Sequence, residues 1–123
     1  SGFLITPIYF DFKSHKLTLE SRSELDSLAR YLKKNKEKSI TIFGYTDCLG
    51  TKEYLENKFN VVLGKNRATA TRRYLEFKGI ARSRVNVVGR GAVNFVNSCF
   101  KIEDCTETEH RENRRCEFQL NDN

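Results

Sequence analysis

Four cysteines and two histidines are the residues of this chain whose types could do covalent or metal chemistry. Cys99 and Cys105 bracket five residues in an irregular stretch, His110 follows, and Cys116 lies beyond. As metal ligands these four make a C-x5-C-x4-H-x5-C array, looser than the C-x2-C pairs usual in structural zinc sites. A Cys99–Cys105 disulfide, formed in an oxidising compartment, fits better. Cys116 reads as a buried thiol, the common state of a cysteine on a strand face. The state of Cys48, in a turn, stays open. His15 and His110 lie far apart in sequence, and nothing local supports a cysteine–histidine nucleophile pair. There is no G-x-S-x-G, no Walker loop and no H-E-x-x-H. Gly89-Arg90-Gly91 lacks the further glycine and helix start of a phosphate loop and reads as a strand-end turn. No enzyme activity, cofactor or metal is expected.

Charged residues form the other constellation. Asp47 stands in the polar segment Tyr45-Thr46-Asp47-Cys48-Leu49-Gly50, where aspartate commonly serves a turn or helix cap. Arg67 lies beside the apolar stripe of a helix, next to Ala68 and one turn before Thr71, where a charge is poorly solvated. A strand-loop-helix return can bring the two to one edge of a sheet, as a ligand clamp or as a plain salt bridge. Arg114 shares the strand parity of Cys116 and Phe118 and is expected on the covered face, paired with Asp47 or Glu109. Arg115 has the opposite parity and is expected at the surface.

These residues need elements to position them. Ile8, Phe10 and Phe12 alternate with polar neighbours and predict a strand. Ser21 and Glu24 fit a capping box ahead of Leu25, Leu28, Ala29 and Leu32, which have helical spacing. Ile40 to Phe43 predicts a second strand that breaks at Gly44. Residues 61–78 predict a second helix, with Val61, Gly64, Ala68, Thr71 and Leu75 on one face and Gly79 as its C-terminal glycine. Val85 to Val88 is a third strand. Thr106 and Glu109 fit another capping box, so a short helix is allowed there, and residues 115–120 form the last strand. The order β-α-β-α-β-loop-β implies an α/β fold of two layers. The last strand follows no clear crossover helix, so the four-stranded sheet is expected to be mixed.

The 123 residues favour a single domain spanning 1–123. Lysine and arginine exceed aspartate and glutamate by six (22 − 16). The basic residues are interspersed with acidic ones, and the densest run, residues 33–38, suits the C-terminal end of a helix. No RNA-binding signature or zinc-finger spacing is present, so nucleic acid is not an expected partner. No apolar run approaches a membrane span. Methionine is absent and no signal peptide is visible. The expectation is a mature domain or excised fragment of a longer exported protein, with Ser1-Gly2 as a cloning remnant and any membrane anchor outside the chain.

Four motifs in order give the chain a resemblance to the OmpA-like C-terminal, or peptidoglycan-associated, family. Tyr9-Phe10-Asp11-Phe12 is similar to the family's F-D-F strand end. Gly44-Tyr45-Thr46-Asp47-Cys48-Leu49-Gly50 resembles its G-H-T-D-x-x-G turn. Tyr54, then Asn60 through Ala68, resemble its Y-N-x-x-L-S-x-x-R-A helix start. Asn113-Arg114-Arg115-Cys116-Glu117-Phe118 resembles its N-R-R-V/T-E-F strand. The likeness runs from about Ile8 to Leu120, and the C-x5-C loop before T-E-x-E-H-x-x-N-R-R looks like the branch common in Bacteroidetes. It implies a βαβαββ OmpA-like fold that binds peptidoglycan through the meso-diaminopimelate of the stem peptide. It implies that Asp47 takes the ammonium of that zwitterion and Arg67 its carboxylate. An arginine fork binds a carboxylate with two parallel hydrogen bonds. Phe12, Leu49 and Leu63 are expected to line the pocket, and Arg114 to shape it. The implied setting is the periplasm, with attachment to the outer membrane through a region absent from this chain, as a monomer or weak dimer.

The chain departs from the family pattern in places. Tyr45 replaces a frequent histidine and Gly64 a serine. Residues 55–59 read as an insertion that lengthens the loop over the site. Lys13 stands where an acid is common and is expected to put a positive charge at the pocket rim. Three rivals follow: a stator or secretion-system wall anchor on the same fold, a wall hydrolase, and a domain that keeps the fold but binds a protein partner.

Overall fold

The computed structural model describes residues 5–48, 54–99 and 105–122, the side chains of 54–57 excepted. The elements run β1 (Ile8–Tyr9), α1 (Leu19–Lys34), β2 (Lys38–Tyr45), α2 (Tyr54–Phe77), β3 (Val85–Gly91), α3 (Glu107–Asn113) and β4 (Arg115–Asp122), with a 3-10 turn at Arg82–Arg84. The sheet order is β1-β4-β2-β3. β4 is antiparallel to β1 and to β2, while β2 and β3 are parallel, so the sheet is mixed as expected. Parallel pairing of β2 with β3 requires a crossover, and α2 supplies it.

α1 presents Leu25, Leu28, Ala29 and Leu32 to the core as one buried stripe, the face its spacing predicts. Its cap is not Ser21, however. Thr18 is the N-cap and accepts from the Ser21 N–H at 3.1 Å. Ser21 is buried one turn inside and donates to the carbonyl of Tyr9, tying α1 to β1. The same core holds Ile8, Phe10, Ile40, Ile42, Ala68, Leu75, Ile80, Val85 and Cys116. At its far end, the Arg84 guanidinium donates to the carbonyls of Leu32, Asn35 and Lys38, closing the C-terminus of α1 onto β2.

β1 is shorter than the alternation through Phe12 suggests. Phe10 still donates its N–H to Arg114 at 2.9 Å, but the chain then turns, with Ser14 N–H bonded to the Asp11 carbonyl and Lys13 at φ 56°. Phe10 is buried, whereas Phe12 is 49% exposed.

α2 starts at Tyr54, seven residues before the predicted 61. Residues 55–59 therefore extend the helix and do not lengthen a loop. Val61, placed on the buried face by its spacing, is exposed, while Gly64, Ala68, Thr71 and Leu75 are buried. Close approach explains the glycines. A Cβ on Gly44 would stand 1.8 Å from the Gly64 carbonyl oxygen, and one on Gly64 would stand 2.4 Å from that of Gly44. A Cβ on Gly89 would meet Lys65 and the Val61 carbonyl at 2.8 Å. The helix thus rests on bare backbone of β2 and β3. For the same reason Gly44 and Gly89 do not end their strands, as their type suggested, but sit inside them. α2 ends at Gly79, φ 101°, with Gly79 N–H bonded to Glu76 and Ile80 N–H to Leu75, the double bond of a Schellman ending.

α3 carries the capping box predicted at Thr106 and Glu109, both reciprocal bonds being present. It leads directly into β4.

Candidate binding site

The C-terminal end of β2 gathers the charged residues. Arg67, from α2, is completely buried. Its Nε donates to the Ser14 carbonyl at 2.8 Å, Nη1 to Tyr45 at 2.9 Å and Nη2 to Asp11 at 3.1 Å. Its plane lies 5.2 Å from the centre of the Phe10 ring. One guanidinium therefore fixes the turn after β1 to the end of β2. Burial pushes its pKa down to about 10, against the attraction of Asp47. At neutral pH it remains a cation.

Arg114, between α3 and β4, is buried beside it. Its Nε donates to the Phe10 carbonyl at 2.8 Å and its Nη1 to Asp47 Oδ2 at 3.0 Å. Its Nη2 meets the Glu107 carboxylate. Burial opposes its charge, but the carboxylates of Glu107 and Asp47 outweigh that and hold its pKa above the ordinary arginine value. The Arg114 guanidinium in turn draws the Glu107 pKa down. Asp47 is itself buried and follows the last residues of β2.

Asp47, Arg67 and Arg114 are thus brought together, and of the pairings the sequence left open, Asp47 with Arg67 or with Arg114, the second is closed. Arg67 gives its bonds to backbone carbonyls and interacts with Asp47 through space. Glu107, not Glu109, is the second partner of Arg114, because Glu109 is turned back to cap α3. The buried trio holds two cations and one anion, and the other carboxylate against Arg114, that of Glu107, has a side chain 70% exposed. A buried positive excess of this kind favours an anionic group at its rim.

Around this cluster, Leu63 is half-buried on α2, and Phe12 and Lys13 are exposed in the turn after β1. The Lys13 ammonium lies 5.3 Å from the centre of the Phe12 ring. Leu49 lies outside the described residues. A cleft of about 410 Å³ opens elsewhere, between β1 and α1, lined by Thr6, Ile8, Tyr9, Thr18, Glu24 and Arg111. Among the described residues, none of the predicted site residues borders it. The buried charges Asp47, Arg67 and Arg114 converge at the cluster, away from this cleft.

Arg115 corrects the parity argument. It is buried, not at the surface, with its guanidinium 4.0 Å from the centre of the Tyr45 ring and Nη2 donating to the Asn94 carbonyl at 2.8 Å. The segment after β3 covers that face of the sheet, so opposite parity does not mean solvent. Tyr45, where the family often has histidine, supplies the stacking surface. Asn113 was also missed. It is buried, and its Oδ1 accepts from the Val96 N–H while its Nδ2 donates to Asn97, pinning the covering segment.

Cys99 and Cys105 form the expected disulfide, with Cα atoms 5.6 Å apart. Cys116 stands apart in the core, its sulfur 3.8 Å from the Thr71 hydroxyl, and burial pushes its pKa up to about 12. The C-x5-C-x4-H-x5-C array does not assemble.

Comparison with known proteins agrees with this fold. The sequence profile of the OmpA family matches residues 9–112. The chain is 35% identical over 85 residues to the peptidoglycan-associated lipoprotein of Buchnera aphidicola subsp. Baizongia pistaciae, covering 69% of this chain and 46% of that protein. It is 37% identical over 87 residues to that of Pseudomonas putida, covering 71% and 49%. The chain spans about half the length of these relatives. Among solved structures, the peptidoglycan-associated lipoprotein from Burkholderia pseudomallei superposes with a TM-score of 0.79 at 30% identity, covering 94% of this chain and 89% of that one. The C-terminal domain of Helicobacter pylori MotB gives a TM-score of 0.76 at 19% identity over 97% and 86%, a likeness of fold.

Proposed function

We propose, from the fact that this chain belongs to the OmpA family, that it binds peptidoglycan without covalent chemistry and anchors a cell-envelope protein to the wall. The similar proteins named peptidoglycan-associated lipoprotein support that reading. The observation that carries it is the buried trio Asp47, Arg67 and Arg114 at one end of β2.

The ligand group we assign is the zwitterionic end of meso-diaminopimelate. Its carboxylate faces Arg67, whose guanidinium is already oriented by three carbonyls. Its ammonium faces Asp47. Phe12, Lys13, Leu49 and Leu63 flank the approach. A fork held rigid before binding loses less entropy on binding. The setting is the periplasm, with attachment to the outer membrane through sequence outside this chain. The domain acts as a monomer or weak dimer, and nucleic acid is not a partner.

The structure changes which variants test this. Arg67 is a strut as well as a proposed ligand group, so Arg67→Ala confounds binding with folding. Asp47→Asn keeps the shape and removes the charge, and Arg67→Lys keeps the charge and removes the fork, disturbing the strut less than alanine does. With thermal unfolding recorded alongside, each is expected to lose roughly 2–5 kcal/mol of binding to diaminopimelate-type muropeptides. That is tenfold in affinity for each ~1.4 kcal/mol. Lysine-type muropeptides, which lack the side-chain carboxylate, are expected to bind the parent more weakly. Parental affinity in both folded variants would remove the site from these residues.

A further inference from the structure

A second convergence of side chains lies beside this cluster, and nothing in the wall-binding reading uses it. The Sγ atoms of Cys48 and Cys99 and a ring nitrogen of His110 all lie within 4.8 Å of one another, and all three residues are buried. Cys99 Sγ is 3.4 Å from His110 Nδ1. Cys105 is joined to Cys99. Breaking that disulfide would therefore free a fourth ligand directly beside Cys99.

We propose that the reduced protein binds one zinc-class divalent cation through Cys48, Cys99, Cys105 and His110, and that the Cys99–Cys105 disulfide closes this site in the oxidised protein. Three thiolates and one imidazole are a usual donor set for a tetrahedral structural zinc. With metal–sulfur bonds of about 2.3 Å and metal–nitrogen bonds of about 2.0–2.1 Å, neighbouring ligand atoms stand roughly 3.5–3.8 Å apart. The spacing of Cys48, Cys99 and His110 needs a contraction of about an ångström, and the Cys99 and Cys105 sulfurs must move apart from bonding distance, both within the reach of side-chain rotation. In the disulfide the sulfurs carry no charge and are poor ligands, so the oxidised cluster does not compete for the cation.

Hydrogen bonds outside the cluster hold its ligands in place, as metal sites require. Cys99 N–H donates to Asn97 Oδ1 at 2.9 Å, and Asn97 Nδ2 donates to the Glu109 carbonyl at 3.0 Å. Asn113 Nδ2 donates to Asn97 Oδ1 at 3.0 Å. His110 belongs to α3, fixed by its capping box. Cys48 comes from the end of β2, directly after Asp47. The metal array weighed from sequence, and set aside there for a disulfide, had Cys116 as its last ligand. The fold puts Cys116 in the core and Cys48 in its place.

The chemistry balances with a dithiol as reductant. The Cys99–Cys105 S–S bond breaks, two electrons and two protons pass to its sulfurs, and the dithiol leaves as a disulfide. Metal binding then forms three metal–sulfur bonds, releases three thiol protons to water and uses the lone pair of neutral His110.

The test is titration of the full chain with cobalt(II), then zinc, after reduction by a dithiol and anaerobic removal of the reductant. One equivalent of cobalt is expected, with thiolate charge-transfer and tetrahedral ligand-field absorption that zinc abolishes. Disulfide-intact protein is expected to show neither. Cys48→Ser and His110→Ala should weaken uptake at least tenfold, and Cys116→Ser should leave it unchanged. Cys105→Ser, freshly reduced, keeps three ligands without a native disulfide to cleave, and should bind cobalt more weakly, with charge-transfer absorption reduced to that of two thiolates. Absence of stoichiometric cobalt in both the reduced parent and Cys105→Ser would overturn the proposal. Loss of binding in Cys116→Ser with retention in Cys48→Ser would overturn the ligand set.

Discussion

Arg114 and Asp47 meet at 3.0 Å, both buried, across a separation of 67 residues. The contact joins the start of β4 to the end of β2, beside the carbonyl of Phe10 that Arg114 also binds. One arginine therefore ties together three chain segments at the site.

The energetic consequence differs for the two partners. Arg114→Ala leaves Asp47 buried without the guanidinium that pairs with it and removes the donor to the Phe10 carbonyl. A broken buried pair costs about 3–5 kcal/mol, and this variant is expected in that range. Asp47→Ala leaves Arg114 still bound to Glu107, so about 3 kcal/mol, the lower end, is expected. Urea unfolding measures both. A smaller loss for Arg114→Ala than for Asp47→Ala would contradict the assigned network.

Acid should weaken the same end of the molecule. The Glu107 pKa is lowered by its hydrogen bond from Arg114, and that of Asp11 by its bond from Arg111. A carboxylate whose pKa is lower when folded adds stability above its unfolded value, here 4.5 for Glu107 and 3.8 for Asp11. That stability is lost as pH falls through the folded value. Stability is expected to be level near neutrality and to decline below about pH 4.5. Glu107→Gln should shallow the decline. Both carboxylates are largely exposed, so salt should reduce the effect. Equilibrium unfolding across this pH range, at low and high salt, checks it.

Gly64→Ala sets two effects against each other. Alanine is the better helix former by about 0.8–1.0 kcal/mol. Its Cβ, however, would stand 2.4 Å from the Gly44 carbonyl oxygen, a backbone atom that cannot turn away. Overpacking of this kind costs about 1–3 kcal/mol. Net destabilisation is expected in thermal unfolding, and a stabilised Gly64→Ala would show that α2 does not sit this close to β2.

Lys13 bears on binding rather than folding. It is exposed and in the left-handed region, which aspartate tolerates better than lysine. Lys13→Asp is expected to leave stability unchanged or slightly raised. It should tighten binding of diaminopimelate-type peptide at low salt, with the gain fading as salt screens the exposed charge. Weaker binding by calorimetry would place Lys13 on a ligand carboxylate instead.

Much of the architecture was legible because it rests on local patterning. The stripe on α1, the capping box at Thr106 and the glycine end of α2 each involve residues within a turn or two of one another. The mixed sheet followed from the order of elements. The resemblance in four motifs implied Asp47, Arg67 and Arg114 as one group, and the structure gathers them.

The partners of those residues were decided only by the tertiary structure. Arg67 binds carbonyls of Asp11 and Ser14, more than fifty positions away, and any residue there would have presented the same oxygen. No side-chain pattern announces such a bond. Arg115 is buried because the segment after β3 folds over the second face of the sheet. Gly44 and Gly89 stay within strands because α2 lies on them, although by type alone they signal breaks. Cys48 rather than Cys116 joins His110, because strand parity turns Cys116 into the core while the end of β2 delivers Cys48 to α3. Sequence determines what an element contacts within its own few turns. Which distant backbone or side chain fills the remaining valence depends on where the packed layers bring the chain back.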